Sequence, residues 1–201
     1  MAVNILGVAR NPDQRNFEVE WKFAKYSYFL GKLEPLEKDA IAVFEKGRDA
    51  AKIASRVDPS KADGHFWYGA NLGELARISP VTVGIKSVDD IREAINTSIS
   101  IEPAYQNGSG FDALGQLEMA TRTLKGGTIE KAIEYYEKGL EISPDNANLR
   151  LHLAEAYLAA KKDAEAKKQL NALFALTPKP PYELEHQIAV EKGKTLLSKN
   201  F

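Results

Sequence analysis

Ile142-Ser143-Pro144-Asp145-Asn146-Ala147-Asn148-Leu149 closes one amphipathic stretch and opens the next, and the same logic runs through the chain. Proline has no N–H and crowds the preceding turn, so Pro144 stops a helix. Two residues later Asn146 supplies a side-chain acceptor for the unsatisfied N–H groups of a helix that starts at Ala147. The ending recurs at Val57-Asp58-Pro59, Ile101-Glu102-Pro103 and Leu176-Thr177-Pro178, each after an alanine-containing amphipathic stretch. The intervals between these prolines are 44, 41 and 34 residues. Each interval holds two helices and a turn, so the chain reads as a repeat of helix pairs.

The 34-residue spacing from Pro144 to Pro178 equals the tetratricopeptide period, and the longer intervals are that unit with extended loops or helices. In the last full repeat Leu149, Leu153, Ala154 and Tyr157 form one stripe at helical spacing, and Ala166, Leu170, Leu173 and Phe174 form its partner. Small Ala154 and Ala166 let the two helices approach closely. The preceding unit repeats the arrangement with Leu114-Gly115, then Ala132, Tyr136 and Leu140. Helix starts are predicted at Ser60, Ser87 and Ser109, each with an acid three residues on, close to a capping box, and at Thr128. No segment alternates as a strand does.

The expected fold is therefore all-α: a TPR-like α-solenoid of about four helix pairs, at about 13–59, 60–103, 109–144 and 146–178, plus a C-terminal capping helix over 181–198. Nine helices are predicted, near 13–30, 36–57, 61–78, 87–101, 110–124, 128–142, 146–160, 163–176 and 181–198, in a single domain spanning 1–201.

Composition limits function. Hydrophobic residues are 44% and charged residues 27%, as in a folded soluble domain rather than a disordered chain. A net charge of −1 leaves no basic excess for nucleic acid or an anionic membrane, and neither is expected as a partner. Cysteine is absent, which removes disulfides, thiolate metal sites and a thiol nucleophile. No run reaches the ~20 apolar residues that span a bilayer. The start, Met1-Ala2-Val3-Asn4-Ile5-Leu6-Gly7, has too short an apolar run and no basic lead-in for a signal peptide. The chain is thus either cytoplasmic or a mature form.

Several stretches carry a family likeness: Gly64-His65-Phe66-Trp67-Tyr68-Gly69-Ala70-Asn71-Leu72-Gly73, Ile101 to Gly110, Leu114-Gly115 and Lys125-Gly126-Gly127. With them the chain, from about Asn11 onward, resembles the bacterial tetratricopeptide T component associated with TRAP transporters. It resembles more weakly the eukaryotic regulators of microtubule dynamics. The first resemblance implies an exported, periplasmic protein that engages a substrate-binding protein. The chain departs from that family at Asp112, where an arginine is usual, so no role is carried over to that position.

Reactive side chains do not converge in the sequence. His65, His152 and His186 fall on different predicted helices, and the single Glu183-x-x-His186 lacks the second copy and further glutamates of a carboxylate-bridged metal bundle. Gly108-Ser109-Gly110 follows a helix stop rather than a strand, so Ser109 reads as a cap and not a nucleophile. Free N–H groups there offer at most a weak anion site. No catalytic residue, metal site or cofactor is expected.

Aromatic residues crowd the first predicted helix (Trp21, Phe23, Tyr26, Tyr28, Phe29) and the third (Phe66, Trp67, Tyr68). Consecutive helical positions point about 100° apart, so these cannot share one buried stripe. Trp21 and Trp67 are expected as core wedges, while Tyr28, His65, Tyr68 and Asn71 are expected to line a concave groove for a protein partner. The predicted function is a non-catalytic protein-binding scaffold. Alternatives are a transporter accessory handing a small ligand to or from a periplasmic binding protein, and a structural subunit, with room for homo-oligomers.

Overall fold

The computed structural model describes residues 2–123 and 125–201. Met1 and Leu124 lie outside them, and with them the first residue of the leader reading and the expected end of the fifth helix. Among the described residues there are ten α-helices and no strand. They are α1 (Ala2–Ala9), α2 (Phe17–Leu33), α3 (Glu37–Val57), α4 (Ala62–Ile78), α5 (Ile85–Ile101), α6 (Tyr105–Ala120), α7 (Ile129–Ile142), α8 (Ala147–Ala159), α9 (Asp163–Phe174) and α10 (Glu183–Asn200). A π-helical turn, Pro80–Gly84, precedes α5. The chain forms two compact units, Met1–Tyr105 and Gln106–Phe201.

Each of the nine predicted helices has a counterpart, and α1 is an addition. Its eight residues bury none of their side chains, so no periodic stripe announces it. It is tied down instead by the residue after it: Arg10 Nε lies 2.8 Å from Glu20 Oε2 on α2. Asn16 sets the start of α2 at Phe17, its side chain accepting from Val19 N at 3.1 Å, four residues later than the periodicity suggested.

Two predicted caps are found and three are not. Thr128 accepts from Lys131 N at 3.1 Å, and Asn146 accepts from Asn148 N and Leu149 N at 3.0 and 3.1 Å. Ser60 instead donates to Asp58 Oδ1 at 2.6 Å, Ser87 is buried inside α5, and Ser109 donates to the carbonyl of Gln106 at 2.6 Å. A serine hydroxyl has several local partners of similar strength, so spacing alone does not select the cap. The segment before Ser109 departs furthest from expectation. Gln106, Asn107 and Gly108 take φ values of +47°, +57° and +72°, three left-handed residues in a row.

In the first unit α3 packs between α2 and α4 through Ala40, Phe44, Ala50, Ala51 and Ala54, all buried. Alanine there lets helix axes approach closely and leaves Phe23, Phe66, Leu72 and Leu75 to fill the remaining space. Glu20 is 1% exposed, and Arg10 and Arg15 satisfy its two carboxylate oxygens at 2.8 and 2.9 Å. In the second unit Tyr136, Leu149, Leu153, Ala154, Ala166 and Leu170 form the core of α7–α9. The last helix, α10, covers its end: Ala189 packs with Ala147, Leu151 and Leu173.

Candidate functional site

In the first unit, α2 and α4 present a common face rich in aromatic rings. Tyr28 and Phe29 of α2 meet Trp67 of α4 with ring centroids 5.6 and 5.9 Å apart, and Tyr28 and Phe29 are 5.5 Å from each other. Phe66 continues the row to Trp67 at 5.0 Å and to Tyr105 at 5.3 Å. Polar tips close the far end: Trp67 Nε1 donates to Tyr105 Oη at 3.0 Å, and Tyr105 Oη donates to Asp63 at 2.7 Å. Phe29 remains 38% exposed at the open end.

Cations lie over this row. Lys25 Nζ is 5.7 Å from the Trp67 ring centre and Lys32 Nζ is 5.6 Å from that of Tyr28, within reach of the ring quadrupole. Lys32 also pairs with Glu74 at 3.0 Å, as Arg77 does at 2.8 Å. Burial opposes charge on Glu74, but the two cations outweigh it and hold its carboxyl below the ordinary value. Lys25 makes no ion pair among the described residues, so its charge is open to a partner.

The four residues expected to share a groove are not brought together. Tyr28 sits on the aromatic face. Asn71 is fully buried and its amide donates to the carbonyls of Ala24 and Trp67 at 3.2 and 2.8 Å, so it joins α2 to α4 and lines no open surface. Tyr68 turns to the other side of α4, where Lys52 of α3 lies 5.9 Å from its ring centre. Its hydroxyl pKa is raised by burial first and then by nearby carboxylates including Asp90. His65, three positions before Tyr68, bonds the carbonyl of Pro59 at 3.0 Å on that same side. Helical phase explains the split: His65 and Tyr68 project far round the helix from Trp67. Trp67 is buried and Trp21 half-buried. The lysines and Glu74 of the aromatic face were missed, because ordinary charges at helical spacing carry no signal of their own.

In the second unit α6, α7 and α8 enclose an open cavity of about 310 Å³ lined by Gln116, Met119, Ala120, Tyr136, His152 and Glu155. Its depth comes from Gly115: a Cβ there would lie 2.2 Å from Tyr136 Cε1, so only glycine lets the ring lie flat against α6. His152 Nδ1 is 2.6 Å from Asp112 Oδ1, and Gln116 donates to the other Asp112 oxygen at 2.8 Å. Burial pushes the imidazole down, but the charge and hydrogen bond of Asp112 more than reverse this, so its pKa is raised. Tyr136 is 1% exposed; burial, then Asp112 and Glu155, push its phenol far up and keep it protonated. The Asp112–His152 contact joins residues 40 positions apart, which no local spacing rule detects. Among the described residues no three His, Asp or Glu converge as metal ligands.

Comparison with known proteins follows the same division of the chain. A family model described as regulator of microtubule dynamics protein 1-3 matches residues 1–108, more than half of the 201. This chain belongs to that family. A tetratricopeptide repeat model matches residues 113–184. Regulator of microtubule dynamics protein 3 of Rattus norvegicus is 23% identical over 165 residues, covering 75% of this chain and 35% of the relative. That of Bos taurus is 24% identical over 174 residues, covering 78% and 36%. The chain thus spans about a third of the length of these curated relatives. Among solved structures, a thermophilic TPR protein of Thermus thermophilus has a TM-score of 0.66 at 17% identity, covering 96% of this chain and 89% of that one. MamA has a TM-score of 0.57 at 18% identity, covering 94% and 89%. These likenesses show a tetratricopeptide-type helical fold. Of the two family resemblances read from the sequence, the weaker, to the regulators of microtubule dynamics, is the one shown.

Proposed function

We propose that this protein is an interaction scaffold and that the α2/α4 face of the first unit is where a partner segment binds. The tetratricopeptide fold supports a protein partner, and proteins of this fold are generally non-catalytic. The observation that carries the assignment is the row Tyr28–Phe29–Trp67 with Lys25 and Lys32 above it. Such a face takes an apolar or aromatic anchor on Phe29 while an acidic flank meets Lys25. Of the four groove residues expected from sequence, only Tyr28 belongs to this proposal.

The relatives are named for microtubule dynamics, so polymerised tubulin is the first partner to try. Co-sedimentation with microtubules, alongside capture of partners from a lysate of the native organism, should lose signal in a Lys25→Glu, Phe29→Ala variant. Binding that survives unchanged in that variant places the partner elsewhere and overturns the assignment. A second reading, delivery of a small ligand to a transporter's binding protein, draws on the T-component resemblance and on the polar cavity beside His152. A neighbouring gene for a periplasmic binding protein supports it, and its absence removes it.

A further inference from the structure

The left-handed turn near the start of α6 contains the chain's one Asn-Gly step, Asn107-Gly108. Such a step carries a reaction of its own. The backbone nitrogen of the second residue can attack the side-chain amide carbon of the first, and glycine, lacking Cβ, obstructs that approach least. Here Gly108 N gives up its proton and bonds to Asn107 Cγ, the Cγ–Nδ2 bond breaks, and ammonia leaves with a proton. Water then opens the cyclic imide at one of its two carbonyls and leaves aspartate or isoaspartate at position 107. Nothing is oxidised or reduced, and hydroxide promotes the first step by drawing the proton from Gly108 N.

The fold holds this reaction back. Asn107 has φ +57° and ψ +42°, and at that ψ Gly108 N lies nearly opposite Cβ about the Cα–C bond. Ring closure needs the two on the same side, so the peptide must first swing through nearly half a revolution. That swing carries the Asn107 carbonyl with it, and the carbonyl is gripped: Asn146 Nδ2 donates to it at 2.7 Å. The grip is itself fixed, because Asn146 is buried and its oxygen accepts from Asn148 N and Leu149 N at the start of α8. Gly108 is also buried, and a Cβ on it would lie 3.0 Å from Ser143 Oγ, so the end of α7 stands against the peptide that must move. Asn107 is only half-buried, which lets water and hydroxide reach it once the turn opens.

We propose that Asn107 is a latent deamidation site, closed by the Asn146 hydrogen bond and exposed to reaction when the turn opens, so that the chain keeps a covalent record of that opening. The record is not erased by refolding. Isoaspartate routes the main chain through Cγ, and the carbonyl that Asn146 grips is no longer part of the peptide link. The tie between the starts of α6 and α8 is then lost, and these are the helices that carry Asp112 and His152.

The experiment incubates the full chain in mildly alkaline buffer, folded and in urea. Conversion at Asn107 is followed by peptide mass, and isoaspartate is counted by enzymatic methyl transfer. The folded chain should convert more than about tenfold more slowly than the chain in urea, because it waits for a local opening. Asn146→Asp and Asn146→Ser each keep an acceptor to cap α8 and remove the donor to the Asn107 carbonyl. Loss of that one hydrogen bond should speed conversion about fivefold while far-UV circular dichroism keeps its helical signal. Equal rates in the folded chain and in urea overturn the proposal, and that comparison needs no variant. So does an unchanged rate in either variant that stays folded, or the absence of conversion at Asn107 in urea.

Discussion

The two units use the same helix-pair pattern for opposite surfaces. The first spends its large aromatic residues at the junction of α2 and α4 and leaves Lys25 and Phe29 at the open edge. The second buries Tyr136 beneath α6 and builds a small polar cavity over it that His152, held by Asp112, and Glu155 line. The family match to 1–108 and the repeat match to 113–184 divide the chain at the same place. A shared backbone pattern thus says little about what each face recognises; the side chains on the faces decide that.

The sharpest way to separate the units is to weaken one alone. Glu20→Gln removes the charge that two arginines enclose. Its cost should be about 2–3 kcal/mol, below the ~3–5 of a fully buried pair because Arg10 and Arg15 remain 18% and 32% exposed. Both tryptophans, Trp21 and Trp67, lie in the first unit, so their fluorescence during urea unfolding reports it directly. A tryptophan transition that does not move to lower urea would break the comparison at its base.

In the second unit Gly115→Ala should cost about 1–3 kcal/mol, since the new methyl group displaces the buried Tyr136 ring. Far-UV circular dichroism should record the loss while the tryptophan transition stays in place. A shift of both together would show that the two units unfold as one.

Acid and alkali should act on different units. His152 has a raised pKa in the folded state, so its pairing with Asp112 contributes fully below about 6.5, the ordinary imidazole value, and is lost as pH rises through the folded value. Glu74 has a lowered pKa, so its contribution is present above the ordinary 4.5 and is lost as pH falls through the folded value. Asp112→Asn should flatten the first dependence and leave the second, as measured by urea midpoints across pH. The smallest effect is expected at Lys138→Ala, whose pair with Glu134 is fully solvent-exposed and screened, so its urea midpoint should stay where that of the unaltered protein is. A shift there would mean that the outer side of α7 matters more than either face.

Much of the fold was legible because prolines, Asn146 and Thr128 act on their own neighbours, and local effects leave local marks. The apolar stripes of α8 and α9 were legible for the same reason. Helix α1 was not, because it buries no side chain and is fixed by Arg10 reaching Glu20, ten positions on. The sites were harder still. The residues picked on α4 were chosen as aromatic or polar in one run, but a helix turns them to different sides, and Asn71 satisfies two carbonyls instead of a ligand. Asp112 and His152 stood out in the sequence only separately, and tertiary packing across 40 positions is what makes them a pair.

Asn146 carries a consequence for how this sequence can drift. Its oxygen caps α8, while its amide nitrogen donates at 2.7 Å to the carbonyl of Asn107, inside the left-handed turn. Aspartate keeps the first contact and loses the second, and serine lacks the reach for both at once. A descendant that replaces Asn146 must therefore also find another way to hold Gln106 and Asn107 at positive φ, so the two places are bound to change together or not at all.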